Sequence, residues 1–426
     1  MSPDAPPGPP SDIADAGLAE AGRARIGWAQ RGMPVLRLIT ERYAGEQPFA
    51  GLTVAACLHV TAETAGLVGA LRTGGARVFL AASNPLSTQD DVAAALADAG
   101  TFVFARAGVD AVTYAGHIHR VLNPGPDLVI DDGGDLVDTL AGQRPELAAN
   151  VRGGCESTST GVLRLRRMAA AGALAFPMVA ADATTTKRMF DSTAGTGQSV
   201  LDGVLRATNI LLAGRAVVVA GFGPCGQGIA ARAHGLGAQV IVTEVDPVRA
   251  LDAVLRGYRV LPMREAAAAG EVIITATGSR DVVAAEHLAV LRDGAILANA
   301  GHFDAEVDVS ALAGAAVKVT RDVRPHADEY TLSDGRRVVL LAEGRVVNLV
   351  AAEGNPPQVM DVSFAGQALV LRWLARDHES LAAGVHDVPR AIDEEIARLT
   401  LESSGARIDT LTDAQRDYLN SWRATP

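Results

Sequence analysis

Aromatic residues make up only 4% of this 426-residue chain, and cysteines number three. Cys57, Cys155 and Cys225 stand in three different contexts with no ligand-like spacing. That argues for a reducing compartment and against structural zinc, and no metal site of another kind is expected. The chain has no unbroken run of about 18 apolar residues, so a membrane-spanning helix is not expected. A formal charge of −11 argues against nucleic acid and against anionic membrane surfaces as partners. The proline- and acid-rich start, MSPDAPPGPPSDIADAG, lacks the basic opening and apolar centre of a signal peptide; a disordered lead-in over 1–25 and a cytoplasmic protein are expected. Neither a G-x-S-x-G elbow nor a P-loop occurs, and Asp131, Asp132 and Asp135 lack calcium-loop spacing.

What the chain has is apolar content of 48%, with glycine and alanine abundant, which suits an α/β enzyme of two or three domains. Its organising stretch runs from Arg215 to Asp246. The apolar, β-branched run Ala216–Ala220 reads as a buried parallel strand and opens into Gly221-Phe222-Gly223-Pro224-Cys225-Gly226. A small-residue helix follows, then a second strand, Gln239–Thr243, ending at Glu244. Strand, G-x-G-x-x-G, helix and a terminal acid together form a dinucleotide fingerprint. Gly221 makes the turn, Gly223 admits the pyrophosphate, and Gly226 allows close packing. The helix N-terminus offers free N–H groups to the phosphates. Glu244 would bind ribose hydroxyls and repel a 2′-phosphate, so NAD is favoured over NADP.

Earlier in the chain, Ile13 to about Tyr43 has helical spacing, broken as a loop at 44–48. Strands are expected at 52–58, 76–82, 102–105 and 128–130, with helices at 61–72, 92–99 and near 109–122. Such alternation implies a parallel sheet covered by helices. The fold expected is α/β: two doubly wound parallel-sheet domains with a helical C-terminal tail from about Val388. The substrate domain would comprise 26–190 and 352–385, the Rossmann NAD domain 191–351, and the tail 386–426. Ligands bind beyond the C-terminal ends of such strands. Leu58-His59-Val60-Thr61, Ser83 to Asp91, and Asp131 to Asp135 fall there.

Taken alone, His59 reads as a hydrogen-bonded core histidine, and Lys187 with Asp191, four apart on a helix, as a surface ion pair. Gly195-Thr196-Gly197-Gln198 nearby, and Gly301-His302-Phe303-Asp304, favour a site between the domains instead.

These segments together resemble the adenosylhomocysteinase family. The resemblance rests on Cys57-Leu58-His59-Val60-Thr61-Ala62-Glu63-Thr64, Asn84 to Asp91, Asp131-Asp132-Gly133-Gly134-Asp135-Leu136, and Thr186-Lys187 with Phe190-Asp191. Gly195 to Ser199, Gly301 to Asp304, Leu341 to Arg345 and Val347-Asn348-Leu349 complete it. The resemblance covers nearly all of the chain after about Ile26, and the tail resembles the shorter bacterial and archaeal branch. It implies a tightly held, recycled NAD, an adenine nucleoside substrate and a homotetramer. The nucleoside 3′-OH is oxidised, the C4′ proton is lost and the C5′ group leaves; in the hydrolase, water then adds and C3′ is reduced again. By resemblance, Lys187 and Asp191 surround the 3′-OH, with Lys187 losing its proton easily enough to act as a base. His59 and Asp132 act near C4′ and C5′, and His302 is a hinge-side histidine. Thr61 and Glu63 contact adenine. Thr158, Ser159 and Thr160 lie on the cofactor with Gly221, Gly223, Gly226 and Glu244, and Asn348 lies on its nicotinamide side.

The departures from the family gather at the substrate. Ser157 stands where the family has a ribose-binding glutamate, Ser192 where it has an asparagine, and Asn355 where it has a histidine near the homocysteine end. Ala105 to Asp110 replaces an aromatic–basic–Gly-Glu segment. The favoured expectation is therefore a nucleoside dehydratase of angustmycin-type antibiotic biosynthesis, which would expel water and release a 4′,5′-unsaturated nucleoside. An ordinary hydrolase of S-adenosylhomocysteine, a non-catalytic NAD- and adenosine-binding regulator, and a simple NAD dehydrogenase remain the alternatives.

Overall fold

A computed structural model describes residues 10–422. The first six strands are β1 (Thr53–Leu58), β2 (Arg77–Ala82), β3 (Phe102–Phe104), β4 (Leu128–Asp131), β5 (Gly153–Glu156) and β6 (Pro177–Ala180). The next four are β7 (Ala216–Ala220), β8 (Gln239–Thr243), β9 (Arg259–Val260) and β10 (Val272–Thr275). Then come β11 (Ala295–Asn299), β12 (Ala316–Arg324), β13 (Ala327–Leu332), β14 (Arg337–Leu341) and β15 (Gly384–Asp387). One sheet has the order β15-β6-β5-β4-β1-β2-β3 and the other β12-β13-β14-β11-β10-β7-β8-β9. The first is parallel throughout, as the alternation of strands and helices implies. The second is mixed, because β12, β13 and β14 pair antiparallel at one edge.

Period-two alternation explains why the central strands read as continuous apolar runs. Val54, Ala56 and Leu58 enter one core while Ala55 and Cys57 enter the core on the opposite face. In β7, Val217 and Val219 face one way and Val218 the other. Both faces of each sheet are covered, so apolar residues occupy successive positions along these strands.

Three features differ from expectation. The helical stretch from Ile13 to Tyr43 is two helices, Ala19–Gln30 and Pro34–Glu46, with Pro34 at the start of the second. Proline has no N–H for the preceding turn and suits a first helical position. The carboxylate of Asp361, reaching from the long helix Pro357–Asp377, accepts bonds from the N–H groups of Val35 and Leu36 and caps this second helix. Part of the expected disordered lead-in is ordered: Asp12 pairs with β3, donating to Val103 O at 2.8 Å and accepting from Ala105 N at 2.9 Å. Its carboxylate faces Arg106, His117 and Arg120, which hold the segment in place. Residues 1–9, also assigned to the lead-in, lie outside the described residues.

The expected tail likewise divides. His386 and Asp387 end β15, which pairs with β6, and helix Arg390–Ser403 buries Ile392, Ile396 and Leu399 in the core of the first sheet. From Glu402 to Trp422 the chain is exposed and carries one more helix, Asp413–Asn420. Residues 423–426 lie outside the described residues. No helix among the described residues is long and apolar enough to cross a membrane.

Candidate active site between the two sheets

Residues just beyond the C-terminal ends of β1, β4, β5, β6, β7, β8, β10 and β11 line one cavity of about 1160 Å³. This is where open parallel sheets bind ligands.

One half of the cavity belongs to the nucleotide fingerprint. Gly221 has a φ of 96°, and a Cβ on Gly226 would stand 1.9 Å from the Gly221 carbonyl oxygen, so both positions require glycine. Gly226 therefore serves packing behind the turn and does not line the cavity, unlike the other residues read from sequence as site residues. At Gly223, the last residue before helix Pro224–Gly235, a Cβ would approach nothing closer than the Arg249 guanidinium at 3.7 Å. That open space beside free helix N–H groups fits a pyrophosphate. Glu244 accepts from Phe222 N at 2.7 Å, Val245 N at 2.7 Å and Asp246 N at 3.0 Å, which fixes its carboxylate beside the turn. At the far end, Asn348 Oδ1 is buried with no hydrogen-bond partner among the described residues. A free acceptor there fits a carboxamide N–H₂, so the residues present suit a nicotinamide dinucleotide.

Lys187 ends a short helical turn that continues as a π-helix, Arg188–Gly195. Wide turns of this kind recur at functional sites. The lysine Nζ lies 3.0 Å from Asp182 Oδ1 and 3.6 Å from Asp191 Oδ2, all three nearly buried. Burial alone would lower the Lys187 pKa, but Asp191 and Asp182 outweigh it and raise the value above that of a free lysine. The expectation of an easily deprotonated lysine is thus reversed for these protein groups, because Asp191 and Asp182 together outweigh burial. Asp182 is itself held by Ser159 Oγ at 2.6 Å. Asp191 accepts from Asn355 Nδ2 at 2.8 Å and Ser363 Oγ at 3.0 Å. Ser192 is buried beside this pair on the cavity wall.

Across the cavity, His59 follows β1 and Asp132 follows β4, while His302 follows β11 in the other sheet. Ser87 Oγ lies 2.6 Å from His59 Nδ1 and fixes the ring, leaving Nε2 toward Asp132 Oδ2 at 3.7 Å. His302 Nδ1 stands 3.7 Å from Asp132 Oδ1, a buried atom with no hydrogen bond among the described residues. A Cβ on Gly133 would lie 2.9 Å from His302 Nε2, so the glycine lets this histidine close over the site. Burial lowers the His59 pKa; Asp132 opposes this and His302 reinforces it. The ring is therefore neutral at neutral pH, able to accept a proton. Ligand atoms of His59, Asp132 and His302 lie within 4.8 Å of one another, a grouping that their sequence spacing does not reveal.

Glu63, in the first turn of helix Ala62–Thr73, has its pKa raised by burial, with a bond from Thr61 opposing the shift. Glu156 is pushed well above the usual carboxylate range by burial and by the charges of Asp131 and Asp132. Its Oε1 accepts from Gly133 N, Thr158 N and Thr158 Oγ1. Ser157 Oγ points to the Asp131 carbonyl oxygen at 3.4 Å. The Thr158 and Ser159 hydroxyls are thus bonded to Glu156 and Asp182, while Thr160 lines the wall near Gly278. Sequence reading missed Asp182, Ser87, Ser199, Ser363 and Glu156. Ser87 and Ser199 lie inside segments on which the resemblance rests, and Asp182 carried a signal of its own, an acid five residues before the lysine at a strand end.

The sequence profile described as S-adenosyl-L-homocysteine hydrolase matches residues 10–144, and that of its NAD binding domain matches residues 192–354. The adenosylhomocysteinase of Aquifex aeolicus is 54% identical over 412 residues, which is 96% of this chain and 98% of that protein. The adenosylhomocysteinase of Thermosynechococcus vestitus is 53% identical over 412 residues, 96% of each chain. That of Aeropyrum pernix is 53% identical over 411 residues, 96% of this chain and 99% of its own. With the nucleotide turn, the two histidines and the Lys187 carboxylate pair meeting in one cavity, the chain belongs to the adenosylhomocysteinase family and its cofactor is NAD.

Proposed function

We propose that this chain carries out the redox-assisted elimination of its family on the sugar of an adenine nucleoside, and that S-adenosyl-L-homocysteine, which names the family, is the first substrate to test. NAD, when bound, supplies a reversible hydride acceptor that converts the 3′ alcohol to a ketone and back. Lys187, in its neutral form, takes the proton of that alcohol at Nζ, and Asp191 and Asp182 hold the resulting ammonium. The ketone acidifies C4′–H, and His59 with Asp132 accepts that proton and returns one to the departing C5′ group. His302 closes the cavity from the second sheet and keeps water from the unsaturated sugar. Thr61 and Glu63 hold adenine, Glu244 the ribose of the cofactor, Asn348 its carboxamide, and Thr158, Ser159 and Thr160 also lie on the cofactor. The protein acts as a homo-oligomer, a tetramer by family. The single observation that carries this reading is the meeting of His59, Asp132 and His302 opposite Lys187–Asp191 in one cavity.

A second reading is favoured by a specific observation. Ser157, Ser192 and Asn355 leave no ionisable group where the family resemblance expects contacts to the sugar and the amino-acid tail. Asn355 is bonded to Asp191 and Ser199, and Ser157 to a backbone carbonyl. A substrate with a C5′ hydroxyl and no amino-acid tail suits those walls. Loss of the C4′ proton and C5′ hydroxide removes one water, and reduction at C3′ then releases a 4′,5′-unsaturated nucleoside with no net redox change. Incubation with S-adenosylhomocysteine, adenosine and a C1′-hydroxymethyl adenine nucleoside, read by product mass and a thiol assay, separates the two. Homocysteine release establishes the hydrolase, loss of one water the dehydratase, and neither product refutes both.

A further inference from the structure

We propose that Asn355 and Ser199 are positioning residues that couple the cofactor end of the cavity to the Lys187–Asp191 pair through a one-way hydrogen-bond relay. The proposal rests on the reading of Lys187 as the base. Five side chains form the line. Asn348 Nδ2 lies 3.1 Å from Ser199 Oγ, Ser199 Oγ lies 2.8 Å from Asn355 Oδ1, and Asn355 Nδ2 lies 2.8 Å from Asp191 Oδ1. Asp191 then faces Lys187 at 3.6 Å.

The direction of every bond follows from the charge on Asp191. An ionised carboxylate only accepts, so the atom of Asn355 facing it must be the amide nitrogen. The Asn355 oxygen then faces Ser199, which must spend its single hydroxyl proton there. With that proton used, Ser199 can only accept from Asn348, which must turn its own nitrogen inward. The relay therefore leaves Asn348 Oδ1, buried and without a partner among the described residues, as the free acceptor on the cavity wall, suited to a carboxamide N–H₂. One ionised group thus fixes which end of Asn348 the cofactor meets, across residues 191, 199, 348 and 355.

Packing holds the line in place. Asn348 and Ser199 are buried, and Ser363 fixes the second oxygen of Asp191. A Cβ on Gly195 would stand 3.1 Å from Asn355 Cγ, so this glycine of the π-helix makes room for the amide. Asn355 lies on the return crossing between β14 and helix Pro357–Asp377, and the relay therefore spans the joint between the two sheets.

An amide keeps one polarity at all pH values. A histidine at 355 would keep it only while neutral: protonated, both ring nitrogens donate, the Ser199 proton is released and Asn348 is no longer constrained. The charged groups near that ring would be Asp191, Asp182 and Lys187; Ser199, Ser363 and Asn348 are neutral.

The test uses the full-length holoprotein and its Ser199→Ala, Asn355→Leu and Asn355→His variants. Bound NAD is measured after exhaustive gel filtration, and reduction of bound NAD by adenosine is followed against pH. Ser199→Ala touches neither Asp191 nor Lys187, yet NAD should be lost about threefold to tenfold faster, the worth of one net hydrogen bond. Asn355→Leu should lose NAD similarly and also slow the reduction. Asn355→His should match the parent at alkaline pH, and the ratio of variant to parent should fall in both readouts through one added ionisation on acidification. Parent-like NAD retention in Ser199→Ala, or a ratio for Asn355→His that is flat with pH, overturns the relay. If the parent itself fails to reduce NAD with adenosine, the proposed function fails, while the retention measurements still decide the relay.

Discussion

Replacing Asp182 by asparagine removes one of the two carboxylates that hold the Lys187 ammonium while keeping the shape of the side chain. Nζ and Asp182 Oδ1 are 3.0 Å apart. At an effective dielectric constant of about 20, a pair of unit charges at that distance interacts by roughly 5 kcal/mol. Divided by about 1.4 kcal/mol per pKa unit, this sets a ceiling of about four units on the fall of the lysine pKa. The asparagine oxygen still accepts a bond and Asp191 remains, so a fall of about one to two units is expected. The sign is fixed. Lys187 is raised by its carboxylates, and a step that needs the neutral amine speeds up as pH rises through the lysine pKa. Removing Asp182 should therefore move the rising limb of the rate toward acid. Single-turnover reduction of bound NAD by adenosine, followed by absorbance of the reduced nicotinamide over a pH series, gives that limb directly. A limb that stays in place or moves toward alkali would refute Lys187 as the proton acceptor under the control of Asp182.

Other consequences follow from single contacts. Asp361→Ala removes the cap on helix Pro34–Glu46 and leaves Val35 N and Leu36 N buried without an acceptor. Chemical denaturation should find about 2 kcal/mol of lost stability, whereas a change below about 0.5 kcal/mol would discount the cap. Gly133→Ala puts a methyl group against His302 at a φ of 105°, so kcat/KM should fall while NAD content stays at parent level. Unchanged kcat/KM would mean that His302 need not close on Asp132. Glu244→Gln can keep the bond from Phe222 N but loses an acceptor for Val245 N and Asp246 N and removes the charge from the ribose acceptor. NAD affinity should drop by about 1.5–3 kcal/mol and discrimination against NADP should shrink; equal discrimination in parent and variant would contradict that role.

The legible parts of this chain are those where local pattern and final structure agree. β1, β2 and β7 are buried on both faces, so they appear as short apolar runs, and the glycine turn after β7 has a fixed spacing. β5 was hidden because its residues, Gly153-Gly154-Cys155-Glu156, carry little apolar signal. A Cβ on Gly154 would stand 2.2 Å from Val129 Cγ2, so the neighbouring strand leaves no room for a larger side chain. β15 was hidden for a different reason: four residues before the last helices, half-buried, at the edge of the sheet. At the site, His59, Asp132, Lys187 and Asp191 were legible as motifs. Their supports were not, because Ser87, Ser199 and Ser363 are ordinary serines until the fold sets them beside His59, Asn355 and Asp191. The lysine shows the limit most clearly. Its proximity to Asp191 was readable at a separation of four, but Asp182, the second carboxylate that raises the lysine pKa, approaches only through the turn after β6.

Exchange at C4′ reports the chemistry before any group leaves, because it requires oxidation at C3′ and a proton acceptor at C4′ whichever group departs from C5′. The holoprotein, incubated with adenosine in deuterated water, should exchange the C4′ hydrogen for deuterium, as read by proton resonance and mass. Lys187→Met should abolish the exchange together with reduction of the bound NAD, and a loss of at least about 10²-fold is expected for a general base. No exchange in the parent protein with NAD bound, or equal exchange in Lys187→Met, would contradict the account.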